Sequence, residues 1–147
     1  MFSSVSLIVC KQDRFSLIHA TFQDNMSRPA YLDEKGIRWD TNEADLEGVM
    51  SKKSKWLGEW RERYFILKGP KMFFTKSASE APHGIIDLVD CLGVEAAGGG
   101  LSPLLLEMQM RGNERFVLRA PSTDHKKAWI AAISRAIAIA TSAHYEE

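Results

Sequence analysis

Cysteine is scarce in this chain. The two present, Cys10 and Cys91, lie far apart and form no Cys-x-x-Cys pair. That excludes a disulfide-stapled scaffold and a thiolate metal site, and it reads as two free thiols in a reducing compartment. Long apolar runs are also missing, since nothing approaches the roughly 20 residues of a membrane-spanning helix. The mildly apolar start, Met1 to Cys10, has no basic residues ahead of it and no small-residue cleavage site behind it, so it is not read as a secretory leader. Net charge is zero, with 19 basic and 19 acidic side chains, so no global field draws the molecule to nucleic acid. The four histidines, His19, His83, His125 and His144, are scattered and make no ligand-spaced pair with each other or with cysteine. None of the common hydrolase, metalloprotease, phosphate-loop or dinucleotide motifs occurs. Gly98-Gly99-Gly100 lacks the lysine and following helix of a phosphate loop and reads as a flexible loop. The expectation is a non-enzyme without cofactor or metal.

What is present is local. Residues 1–46 carry five Lys/Arg against seven Asp/Glu, whereas residues 47–81 carry eight against four. The positive charge is therefore concentrated in one stretch, which is a signal about a site and not about the whole molecule. Residues 1–26 are weakly patterned, with a short strand possible around Val5, Leu7 and Val9. Residues 27–46 are polar and turn-rich, with Tyr31, Ile37 and Trp39 as isolated apolar anchors. This segment reads as an extension lying over the domain, with a disordered arm as the competing reading.

From Glu47 onward, short strand-like runs alternate with turn signals. The runs are Gly48–Lys53, Glu59–Leu67, Met72–Lys76, Gly84–Leu88, Cys91–Glu95, Leu104–Met110 and Arg115–Ala120. Gly69-Pro70-Lys71 makes a tight turn, and Gly112-Asn113 another. The period then changes from two to 3.6. After a capping Ser122 or Thr123, with Asp124 in the first turn, Trp129, Ala132, Ile133, Ala136, Ile137 and Ala140 form one apolar stripe on a helix of about five turns. Seven antiparallel strands and one amphipathic helix predict a barrel or sandwich with an open end plugged by the helix, Trp129 serving as the core plug. The boundaries are 1–46 for the extension, 47–141 for the domain and 142–147 for a short polar tail.

These elements resemble the pleckstrin homology (PH) family. Its first strand follows Gly-x-Leu-x-Lys, matched here by Gly48-Val49-Met50-Ser51-Lys52. Its second follows Trp-(Lys/Arg)-x-Arg-(Trp/Tyr)-Phe-x-Leu, matched by Trp60-Arg61-Glu62-Arg63-Tyr64-Phe65-Ile66-Leu67. Its fourth begins Pro-x-Gly-x-Ile, matched by Pro82-His83-Gly84-Ile85-Ile86, and its terminal helix carries a Trp, matched by Trp129. The short N-terminal extension and the run from Gly84 to Leu92 (GIIDLVDCL) look more narrowly like the small single-PH-domain proteins of plants and green algae.

The resemblance implies phosphoinositide binding, with Lys52, Arg61 and Arg63 as the phosphate-binding motif. Alternation agrees: Arg61 and Arg63 share a strand face with Phe65 and Leu67, and Lys52 shares one with Met50. In each strand the basic residues sit where the core ends. Guanidinium groups take two phosphate oxygens at once, and ammonium groups act as movable point charges. Lys53, Lys55, Lys71 and His83 are expected to add charge nearby. Trp56 and Leu57, between basic residues at the hairpin tip, suit a membrane interface.

Two features depart from the strongest binders in the family. Phe74 stands where a phosphate-bonding Tyr is common, and His83 stands where a permanent cation is. Glu59 and Glu62 are expected beside the cradle. Together these favour a monophosphorylated lipid, such as phosphatidylinositol 3-phosphate, on an endosomal or other cytosol-facing membrane in trafficking or signalling. The competing function is a protein-interaction adaptor that uses the same fold with weak lipid binding.

Overall fold

The computed structural model describes residues 9–10, 27–54, 58–98 and 102–146. The elements in chain order are β1 (Val9–Cys10), β2 (Tyr31–Leu32), β3 (Arg38–Trp39), β4 (Leu46–Lys53), β5 (Trp60–Lys68), β6 (Lys71–Thr75), β7 (Gly84–Asp87), a 3-10 turn (Leu88–Asp90), β8 (Cys91–Ala96), β9 (Leu105–Met110), a second 3-10 turn (Arg111–Asn113), β10 (Glu114–Arg119) and α1 (Thr123–Glu146). Strand order is β7-β6-β5-β4-β10-β9-β8, antiparallel throughout. The fold is the mainly β barrel-like sandwich with a C-terminal helix that the pattern predicts.

β4 is the hinge of the sheet. Its far end pairs with β10 through Lys52–Leu118 and Ser51–Arg119 alone, and its near end pairs with β1 through Leu46–Cys10 and Glu47–Val9. The two halves of the sheet therefore splay and close over a core. Leu46, Met50, Phe65, Leu67, Met72, Leu106, Met108 and Leu118 fill that core from the strands, all on the inner face that alternation assigns to them. α1 adds Trp129, Ile133 and Ala136. Ser122 caps the helix, its Oγ accepting from the His125 amide at 3.1 Å. The Trp129 ring is fully buried, and its Nε1 has no hydrogen-bond partner among the described residues, so the side chain acts through packing.

α1 is longer than the apolar stripe suggested. It runs on to Glu146, through the segment expected to be a polar tail. Thr141-Ser142-Ala143-His144-Tyr145-Glu146 contains neither Gly nor Pro, and nothing in it opposes helix continuation.

Residues 27–45 lie across the outer face of β4–β7. Tyr31, Trp39 and Ala44 pack there on Tyr64, Ile66, Phe73 and Ile85, a second small apolar cluster. The β2–β3 hairpin is braced by the Trp39 Nε1 donating to Asp33 Oδ2 at 3.0 Å. Ile37, expected as an anchor, is 48% exposed and belongs to neither apolar cluster.

The centre of this layer is ionic. Arg28 is buried and uses every donor of its guanidinium. Nε donates to Thr41 Oγ1 at 2.9 Å, and Nη2 donates to the Thr41 carbonyl at 2.8 Å and to Glu47 Oε2 at 3.2 Å. Nη1 donates to Glu47 Oε1 at 3.1 Å and to the Ala78 carbonyl at 3.0 Å. Tyr64 completes the network by donating to Glu47 Oε1 at 2.6 Å. Burial, together with the Glu47 carboxylate, pushes its hydroxyl well above the usual phenol range.

Candidate functional site

The hairpin joining β4 to β5 marks one end of the barrel, the mouth. The Gly69-Pro70 turn and the first 3-10 turn mark the other, joined by the Leu88 amide donating to the Pro70 carbonyl at 2.9 Å. α1 packs against that 3-10 turn and β8. At the mouth, register puts Lys52 directly across from Arg61, and Met50 across from Arg63. These residues share the inner face, so the core gives way to three cations within one strand pair. Directly opposed residues have Cβ atoms about 4.5–5.5 Å apart, close enough for one phosphate to touch both side chains.

Two aromatic rings shape the wall. The Lys52 ammonium lies 5.4 Å from the Phe74 ring centre and 5.1 Å from that of Phe116. The rings attract the ammonium itself and hold its charge at this end of the inner face. Phe74 lies 6.0 Å from Phe65 and 5.2 Å edge-on from His83. It also lies flat against Gly84, where a Cβ would stand 2.0 Å from the ring. The family-like Gly84 is therefore needed to seat Phe74.

The β6–β7 loop brings the remaining groups. His83 is anchored by its amide donating to the Phe74 carbonyl at 3.0 Å. Burial first, and then the positive charges of Arg63, Lys76 and Lys52, hold its imidazole below the usual histidine range, with Glu80 opposing. Those neighbours mark a concentration of positive charge around one ring. Lys76 belongs to it and is absent from the sequence-derived set. The signal was available, because Met72, Phe74 and Lys76 alternate as Met50 and Lys52 do.

Other expected residues fall elsewhere. Lys71 starts β6 at the far end of the barrel, where its Nζ binds Asp87 Oδ2 at 2.9 Å and lies 4.9 Å from the Trp39 ring. It leaves the cradle because the tight turn it follows is at the opposite end from the hairpin. Lys53 is exposed on the outer face, its Nζ 6.0 Å from the Trp60 ring. Glu62 also faces outward, paired with Ser51, and so does not line the cradle. Lys55, Trp56 and Leu57 lie outside the described residues. Among the described residues, no cluster of His, Cys, Asp or Glu is suited to a metal, and no helix is long and apolar enough to cross a membrane.

A sequence model of the PH domain matches residues 44–138. The chain belongs to the PH domain family. A PH domain-containing protein 1 of Arabidopsis thaliana is 30% identical over 125 residues, covering 80% of this chain and 82% of its own. Human oxysterol-binding protein-related protein 10 is 31% identical over 93 residues, 60% of this chain but 12% of that protein. Among solved structures, the C-terminal PH domain of pleckstrin in complex with an inositol pentakisphosphate is 26% identical, with a TM-score of 0.56 over 62% of this chain and 92% of that one. The human oxysterol-binding protein-related protein 11 PH domain has the same fold at 15% identity, with a TM-score of 0.55 over 66% of this chain and 82% of that one. The PH family match begins at Ala44, so the arm carrying Arg28, Tyr31 and Trp39 precedes it.

Proposed function

We propose that this PH domain is a membrane-recruitment module that reads the phosphorylated headgroup of an inositol lipid. One observation carries the reading: Lys52 stands across the sheet from Arg61 at the hairpin end of the barrel, with Arg63 next on the same face. Lys76 and His83 approach from the β6–β7 loop. A monoester phosphate has enough charge and enough acceptors to engage such a set, and a neutral ligand does not. The similarity to a pleckstrin domain that holds an inositol polyphosphate supports the same ligand class.

The finer assignment is a headgroup with a single monoester phosphate, with phosphatidylinositol 3-phosphate as first choice and the cytosolic face of endosomes as its place in trafficking. Phe74 contributes a ring and no hydroxyl to the wall, and burial first, then the charges of Arg63, Lys76 and Lys52, hold His83 below the usual histidine range, against its carrying a charge of its own. The cradle is thereby short of the donors that a second and third phosphate require.

Vesicle co-sedimentation across the full set of phosphoinositides, at low and physiological salt, tests both levels. Selective binding that is lost in Arg61→Ala/Arg63→Ala supports a headgroup reader and names its membrane. Binding that follows total negative charge alone leaves a nonspecific electrostatic anchor. No binding to any vesicle overturns the proposal and favours the protein-interaction adaptor.

A further inference from the structure

Arg28 lies in the arm ahead of the family match, yet it reaches into the loop that flanks the cradle. Its Nη1 spans fifty positions of sequence to donate to the Ala78 carbonyl at 3.0 Å. The same nitrogen is held on Glu47 of β4. One buried, fully bonded guanidinium therefore ties the strand bearing Lys52 to the loop bearing Lys76 and His83.

The rest of that loop folds around a second fixed point. The Thr75 hydroxyl is fully buried and lies 3.1 Å from the Ser77 carbonyl, 3.2 Å from that of Glu80 and 3.3 Å from that of Ala81. A hydroxyl has one proton and donates to one of them at a time. It can hold the loop close to β6 but cannot fix its register, because the three carbonyls compete for it. The Arg28 bond is different in kind. The guanidinium plane is set by a two-point contact with Glu47 and a two-point contact with Thr41, so its remaining donor points in one direction only.

We infer that Arg28 is a positioning residue for the phosphate cradle, fixing the β6–β7 loop so that Lys76 and His83 face Lys52 and Arg63. This rests on the phosphoinositide reading above. It makes the arm part of the binding apparatus through Thr41, Glu47 and Ala78, none of which is a cradle residue. A lysine at position 28 keeps a charge for Glu47 but has three donors on one nitrogen, against the five bonds that the planar fork makes to Thr41, Glu47 and Ala78.

The test uses the full chain, vesicles containing whichever phosphoinositide the wild type binds, and two variants. Arg28→Lys keeps the buried charge. Arg28→Met/Glu47→Gln removes both charges, so no lone buried ion remains and the Tyr64 hydroxyl keeps an acceptor. Each is paired with Lys76→Ala. In a variant with wild-type circular dichroism, binding is expected to weaken about three- to tenfold, and the Lys76→Ala penalty to fall to nearly nothing. A merely structural arginine leaves that penalty unchanged. Amide hydrogen exchange of residues 76–83 is read in parallel and is expected to quicken in both variants.

A folded variant that binds like wild type, with the Lys76→Ala penalty intact and loop exchange unchanged, overturns the inference. If wild type binds no phosphoinositide, the function proposal fails on its own. The exchange data then still decide whether Arg28 fixes the loop.

Discussion

The ring of Phe74 rests on Gly84, so close that a Cβ there would stand 2.0 Å from the ring. The neighbouring strands β6 and β7 are locked at that point by the pairing of the two residues. The centre of the same ring lies 6.0 Å from that of Phe65 and 5.4 Å from the Lys52 ammonium. Gly84→Ala is expected to destabilise the fold by about 1–3 kcal/mol, the range for overpacking a filled site. Headgroup binding should weaken with it, because the displaced ring no longer supports the lysine. Urea denaturation and vesicle binding measure the two effects separately.

The cradle and the far end of the barrel predict opposite results for two basic residues of similar appearance in sequence. Arg61→Ala should weaken phosphoinositide binding by about tenfold or more, the equivalent of roughly 1.4 kcal/mol for a lost bidentate phosphate contact. Lys71→Ala should leave binding unchanged, since Lys71 is engaged with Asp87 and Trp39 at the other end. Equal losses in the two variants on the same vesicles would mean that total charge, not the mouth, governs binding.

His83 makes a prediction about pH whose sign differs between binding and stability. Its pKa is depressed in the free protein by burial and by Arg63, Lys76 and Lys52. A phosphate in the cradle offsets those cations and favours the protonated ring. Binding should therefore strengthen from pH 7.5 to pH 6, and the slope should flatten in His83→Gln. For folding, the unfolded chain takes up the proton more readily than the folded one. Stability is thus undiminished by this group above the ordinary histidine value and falls as pH drops through that value toward the lower folded one. Binding titrations and urea midpoints over the same pH range should therefore move in opposite directions.

Trp129 joins α1 to the strands at the centre of the core, with no part of its side chain reaching solvent. Trp129→Ala should cost about 3–5 kcal/mol, the range for large-to-small changes that leave a cavity. The loss should appear in chemical denaturation whether or not vesicles are present. In the fraction that remains folded, headgroup affinity should be close to wild type, because the helix meets the barrel away from the mouth.

Local patterning in the sequence was enough to specify much of this molecule. Alternation in Trp60–Lys68 and Leu46–Lys53, turns at Gly69-Pro70 and Gly112-Asn113, and the 3.6-residue stripe around Trp129 are short-range signals, each satisfied within one or two elements. They located the seven strands and the helix, and they put Lys52, Arg61 and Arg63 on faces continuous with the core. What they could not locate was anything set by pairing between distant segments. Lys71 opens one short strand and Lys76 follows its last residue, and only the antiparallel course of β5 and β6 assigns one to the far end and the other to the mouth. The sequence shows Arg28 as one more arginine in a polar, turn-rich stretch. Its burial against Thr41, Glu47 and Ala78 exists only once the arm, β4 and the β6–β7 loop are assembled. Side-chain periodicity is a property of one strand or helix and is written in the order of residues. The meeting of a guanidinium with a carbonyl fifty residues away is decided by packing, which brings together groups that no local pattern links.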